Sequence, residues 1–211
     1  ALLAGAIAFF AWPNGSWKVT VAWLAGTWLL LGMLRFVWQR FVQGKGRFTA
    51  EMVGMCLAHG GLAVFFFGVL MTEGASIEKD VAAKPGQAFE LRGYAFRFDG
   101  AERVAGPNYE ADRGTVVVTR GGEPVATLHP EKRAYASGGN VLTEAAIDGS
   151  LTRDLYVALG EPIDQRGAWA LRLYVKPFIR WIWLGALLMA IGGFTVTLDK
   201  RFRRPVDEAS A

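Results

Sequence analysis

The sequence predicts a membrane α-helical protein with three complete spans, the tail of a fourth, and a periplasmic all-β domain inserted before the last helix. Three observations predict this class. Apolar runs of the roughly 20 residues a helix needs to cross a bilayer occupy positions 19–38, 52–71 and 178–198. Between the second and third lies a stretch of short alternating segments separated by turn residues. Basic residues crowd the flanks of the apolar runs, as they do in proteins whose orientation is set by loop charge.

Residues 1–11 form an apolar stretch that stops at Trp12-Pro13. As a helix it rises only about 16 Å, half the hydrocarbon thickness. No basic n-region precedes it, so a signal peptide is disfavoured and the tail of a spanning helix is expected. The loop between the next two runs carries Arg35, Arg40, Lys45 and Arg47, whereas residues 12–18 carry only Lys18. Lys200-Arg-Phe-Arg-Arg204 follows the last run. Both basic clusters are therefore expected in the cytoplasm, although Arg172, Lys176 and Arg180 weaken the asymmetry of the last span. The expected organisation is transmembrane helices over 1–72 with a basic cytoplasmic loop at 35–51, a periplasmic β domain at 73–177, a last transmembrane helix at 178–199, and a cytoplasmic tail at 200–211. Trp12, Trp17, Trp38, Trp181 and Trp183 fall where an interfacial aromatic belt would lie. The implied location is the bacterial inner membrane, with multiple passes through lipid.

The outer segment holds 15 acidic and 13 basic residues between Glu73 and Lys176, so it is close to neutral. A nucleic-acid partner, which would need a basic face, is excluded on that ground. Phe89-Glu-Leu-Arg-Gly-Tyr-Ala-Phe-Arg-Phe98 alternates apolar and polar residues. Thr115–Thr119 is β-branched, and Gly121-Gly122 then leads into Pro124–Leu128 as a hairpin. Residues 154–159 and 169–175 supply two more strands around a turn region at 160–167. The pattern fits a small sandwich or open barrel with Phe89, Leu91, Val117, Leu128, Leu155, Val157, Trp169, Leu171 and Leu173 in its core. Pro177 suits an early position in the helix that follows.

His59 is the principal candidate for chemistry. It lies inside the second apolar run, where an ionisable side chain is costly and marks a functional hypothesis. Ala58, Gly60 and Gly61 beside it leave room for a flat, bulky cofactor. A neutral imidazole ligates haem iron or another transition metal; the alternative is a polar residue hydrogen-bonded between helices. His129 falls in the outer domain after a strand and is read as an exposed loop residue. Glu131, Lys132, Arg133 and Tyr135 combine mixed charge with an aromatic ring, which suits either partner docking or a solvated loop. Cys56 has no cysteine to pair with in this chain. Neither a hydrolase elbow nor a P-loop, dinucleotide fingerprint or C-x-x-C motif occurs.

Several segments together resemble one family. Gly54-Met-Cys-Leu-Ala-His-Gly-Gly-Leu-Ala-Val64 is similar to a late transmembrane segment of the CcmF proteins. Pro130-Glu-Lys-Arg133 with Tyr135, Thr143-Glu-Ala-Ala-Ile-Asp148, Asp154-Leu-Tyr-Val-Ala-Leu-Gly160 and Lys176-Pro-Phe-Ile-Arg-Trp-Ile-Trp183 follow in the family's order. The resemblance implies the C-terminal part of a system I cytochrome c maturation protein, a component of the haem lyase that joins haem to apocytochrome c in the periplasm. It implies a CcmE-type haem chaperone and a CcmH-type apocytochrome carrier as partners. It also implies haem b within the membrane, with His59 as one axial ligand and the second from an upstream part of the same protein. The family's Trp-rich external segment is absent from this chain, so the chain alone is expected not to perform ligation. A scaffold that docks maturation partners and a quinol-linked electron-delivery subunit are the other function classes.

Overall fold

The computed structural model describes residues 17–42 and 49–198. The helix tail expected at residues 1–11, Trp12, Lys45, Arg47 and the basic tail at 200–204 lie outside the described residues. The chain divides into two compact units. One runs to Ala75 and resumes at Phe178; the other is Ser76–Pro177.

The first unit contains α1 (Trp17–Val42), α2 (Ala50–Ala75) and α3 (Ile179–Thr197), all long and apolar enough to cross a membrane. The first two are longer than the apolar runs that predict them. At 26 residues each they extend about 39 Å, past the hydrocarbon core into the interfaces. Thr49 starts α2: its Oγ1 accepts a hydrogen bond from the Met52 amide at 3.3 Å and its carbonyl accepts one from Val53.

Helix packing here rests on glycine. Gly54, Gly61 and Gly68 recur every seven residues on α2, and Gly185 and Gly192 do so on α3. The helices run antiparallel along this seam. A Cβ added to Gly61 would sit 2.7 Å from the Met189 nitrogen, and one on Gly192 would sit 2.6 Å from both the Ala58 nitrogen and the Gly54 oxygen. In lipid no hydrophobic force draws helices together, so this backbone-to-backbone approach supplies dispersion contact instead. A seven-residue period keeps the seam facing its partner along the whole contact. α1 packs antiparallel on another flank of α2. Lys18 pairs with Glu73 at 2.5 Å, and the rings of Trp23 and Phe67 meet edge to face at 5.4 Å. Trp181 packs on Phe67 and Phe178. Trp17, Trp38 and Trp183 are exposed.

The second unit is an antiparallel β-sandwich. One sheet has the order β1 (Ile77–Ala83), β10 (Trp169–Pro177), β9 (Arg153–Pro162), β8 (Ala146–Gly149). The other has the order β2 (Ala88–Leu91), β3 (Tyr94–Ala105), β4 (Tyr109–Arg120), β6 (Glu131–Tyr135), β7 (Leu142–Glu144), with β5 (Glu123–Leu128) also on β4. Strand β4 is continuous while its neighbour is broken. Its first half pairs with β6 and its second half with β5, and the chain bends between them at His129-Pro130. Pro130 cannot donate a ladder bond, but its carbonyl accepts one from Gly114 at 2.9 Å.

Alternation sets the core. Phe96, Phe98, Val116, Val118, Leu155, Val157, Leu159 and Leu173 are fully buried between the sheets. Leu91, Leu128 and Leu171 join them, while Phe89 and Trp169 pack at the edge. The expectation for Val117 is corrected: Val116 and Val118 point inward, so Val117 faces the other side. The single alternating segment expected at 89–98 is a hairpin. Arg92 and Gly93, both at positive φ (52° and 77°), form a two-residue turn between Leu91 and Tyr94. Such turns demand left-handed backbone, and Arg is an unusual occupant. The hairpin expected at Gly121-Gly122 is present, with Arg120 opposite Glu123. Pro177 ends β10 and does not enter the helix; α3 starts after Phe178, itself at φ 57°.

Candidate functional site

Uniformly apolar helices do not announce their faces, so contacts must. Along α2, the glycines at 54, 61 and 68 face α3. His59 is two residues from Gly61, about 200° around the helix, and so lies on a different face. It lines a groove of about 260 Å³ between α1 and α2. The α1 wall is Trp28, Leu29, Gly32, Met33 and Phe36; the α2 wall is Met55, Cys56 and His59. The lining is apolar apart from the imidazole and the thiol.

The imidazole is oriented by its own helix. Its Nδ1 lies 2.9 Å from the carbonyl oxygen of Met55, one turn earlier. A carbonyl only accepts, so Nδ1 carries the proton. In the neutral form of such a ring the lone pair is at Nε2. This is the tautomer a metal-ligating histidine adopts when a backbone carbonyl holds its other nitrogen. The site has one imidazole donor with the Cys56 thiol in the same lining, and among the described residues no group of three or more His, Cys, Asp and Glu side chains converges.

The room expected beside His59 is only partly there. Gly61 and Ala58 are taken up by α3. Gly60 faces α1, and a Cβ placed on it would make ordinary contact with the Met33 thioether, at 3.5 Å, without striking backbone. Sequence reasoning overlooked the α1 wall altogether. Its signal was the helical spacing of Trp28, Gly32 and Phe36, hidden because α1 is apolar all round.

His129 is exposed after β5, with Nδ1 3.3 Å from Thr115 Oγ1. It belongs to the other unit from His59.

The cluster read from Pro130–Tyr135 is a strand, not a loop. Glu131 is 5% exposed, which corrects its expected place on a partner-facing surface. Its carboxylate accepts from Arg113 Nε at 2.6 Å and from Arg133 Nε at 2.7 Å. Burial works to raise its pKa, but hydrogen bonds from Arg133 and Arg113, with their charges, outweigh it and hold the carboxyl below its usual range. Arg113 was missed because its partner lies 18 residues away across β4–β6. Lys132 pairs with Glu161 on the other sheet. The Arg133 guanidinium lies 4.6 Å from the Tyr109 ring centre, and Tyr109 packs on Tyr135 at 5.5 Å. What remains outward is a partly exposed patch of Arg133, Tyr109 and Tyr135.

Residues 74–177 match the family described as the CcmF C-terminal beta-sandwich. The chain is 44% identical over 202 residues to the cytochrome c-type biogenesis protein CcmF of Pseudomonas fluorescens, covering 93% of this chain and 30% of that protein. This chain belongs to the CcmF family. It is also 48% identical over 158 residues to CcmF of Escherichia coli strain K12, covering 75% of this chain and 24% of that protein. A more distant relative is the cytochrome c-type biogenesis protein NrfE of Haemophilus influenzae, 34% identical over 165 residues, with coverage of 78% and 25%. A solved structure described as Cytochrome c Heme Lyase CcmF superposes with a TM-score of 0.74 at 18% identity, covering 93% of this chain and 33% of that one. At that identity the likeness concerns fold: apolar helices with a β-sandwich before the last of them. The CcmF-family chain described here spans about a third of the length of the curated relatives it matches.

Proposed function

We propose that this chain contributes to the machinery that ligates haem to apocytochrome c in the periplasm, and that His59 is an axial ligand of a membrane b-type haem. The supporting observation is the His59 tautomer: Nδ1 held by the Met55 carbonyl, Nε2 left as a donor on an apolar groove. The residues fit the group. An imidazole donor, a groove without competing charges, and Gly60 beside the ligand suit a flat apolar macrocycle. When bound, haem iron would supply one-electron chemistry; the chain's own part is to orient one ligand and to exclude water. The groove is smaller than the usual enclosed ligand site. The second axial ligand and the remaining walls come from family length that this chain does not span.

The scaffold reading assigns His59 to packing only, and the electron-delivery reading uses the haem with quinol but not for ligation. Haem co-purifying in stoichiometric amount eliminates the scaffold reading. Haem reduction by quinol while ligation is blocked supports electron delivery.

The orientation proposed here has residues 35–51 and the tail beyond 199 in the cytoplasm and the sandwich in the periplasm, from the charge asymmetry of the flanks. A periplasm-dependent reporter fused at Gly121 is expected to be active, and one fused after Arg204 inactive. The reverse pattern sinks the orientation.

Partner docking is proposed for Arg133 and Tyr135, which share one face of β6 with Glu131, whereas Lys132 points to the opposite face and pairs with Glu161 of the other sheet. Partners of the CcmH and CcmE types and apocytochrome c are the proposed occupants of the maturation complex. Combined Tyr109→Ala and Tyr135→Ala substitution is expected to lower recovery of the apocytochrome carrier in pull-downs several-fold while haem content stays unchanged. Unaltered recovery removes the idea.

A further inference from the structure

We infer that α1 provides the surface against which the macrocycle lies, centred on Gly32 and bounded by Trp28 and Phe36 one turn to either side. This rests on the reading of His59 as a haem ligand and adds the residues that determine where the ring sits. Trp28, Leu29, Gly32, Met33 and Phe36 line one face of α1 at helical spacing, opposite Met55, Cys56 and His59. In the middle of that face the side chain is missing. A Cβ added to Gly32 would meet nothing within 4 Å, and Gly32 is exposed. Packing between α1 and α2 therefore does not explain this glycine. The contrast is with Gly61 and Gly192, where an added Cβ strikes backbone. Glycine in a helix interior costs about 1 kcal/mol relative to Ala. A flat ring approaching α1 across from the His59 donor explains the gap, since any side chain at 32 would stand where the ring must lie. Met33, with its thioether beside Gly60, closes the groove between the two helices with a soft, polarisable contact.

The same helix carries its own control. Gly26 also has nothing within 4 Å of an added Cβ, but it lines a second apolar groove with Trp23, Thr27, Leu30, Phe67 and Trp181. That groove contains no histidine. Gly32, exposed, thus faces the proposed ligand, and Gly26, buried, faces away from it.

The test uses the family-length protein carrying these residues, purified in detergent, with haem stoichiometry, the reduced-minus-oxidised spectrum and haemin titration as readouts. Gly32→Leu is expected to retain haemin about tenfold more weakly or to shift the spectrum, as when a side chain overpacks a fitted surface. Gly26→Leu is expected to match wild type. A Cβ at either position meets nothing within 4 Å, and equal circular dichroism melts establish that both variants fold. If His59→Ala loses haem while Gly32→Leu keeps wild-type stoichiometry and spectrum, this inference is overturned and the ligand reading stands. Equal losses in Gly26→Leu and Gly32→Leu overturn it too. If His59→Ala itself keeps haem unchanged, both fall together.

Discussion

Gly192→Leu is expected to prevent stable packing of α2 on α3, while Gly193→Leu, one residue along the same helix, is tolerated. A Cβ at 192 would lie 2.6 Å from the Gly54 oxygen and the Ala58 nitrogen, both backbone atoms that cannot rotate away. At 193 a Cβ would meet nothing within 4 Å. Overpacking a close-packed contact costs typically about 1–3 kcal/mol, and more where backbone must move. Here the whole seam would have to open, since its glycines keep one seven-residue register. The consequence reaches the candidate ligand, because Ala58 directly precedes His59. Thermal melts of the two variants in detergent would distinguish them. Equal melting temperatures would mean that the seam does not hold the helices.

The second large effect is expected from Glu131→Ala. Removing one member of a buried ion pair typically costs about 3–5 kcal/mol, because the partner charge is left without compensation. Arg113 and Arg133 both reach solvent in part, so a loss of about 2–3 kcal/mol is expected, read as lower hydrogen-exchange protection of β4 and β6. The pH dependence follows in sign. The folded carboxyl titrates below its ordinary value of 4.5, so the contribution is complete above that value and is lost as pH falls toward the lowered one. Glu131→Gln keeps an acceptor but not the charge and should remove this acid-linked part. Wild-type protection in Glu131→Ala would show that the clasp carries no stability.

What was legible in the sequence follows the physics of each element. The three spans were legible because length and apolarity are summed properties, insensitive to which way any one residue points. The β-sandwich was legible because period-two alternation reports burial directly, as at Leu155, Val157, Leu171 and Leu173. Helix faces were not legible. His59 and Gly61 are near neighbours in sequence yet serve different interfaces, and only contact with α3 separates them. Val117 was misread because a run of three valines has no alternation to fix its phase. The Arg92-Gly93 turn was missed because Arg is uncommon at positive φ. Glu131 was read as surface because charge usually is, and its burial depends on Arg113 from another strand.

The account's central claim is that His59 ligates a membrane haem through Nε2. An unliganded imidazole at this depth would keep one nitrogen without a partner, since Met55 satisfies only Nδ1. The direct measurement is the reduced-minus-oxidised absorption spectrum, with haem stoichiometry, of the family-length protein carrying His59→Ala. The account predicts loss of most of the b-type signal, and a shifted but retained signal in His59→Met, where a thioether replaces the imidazole. A wild-type spectrum and stoichiometry in His59→Ala would contradict it and leave His59 as a packing residue.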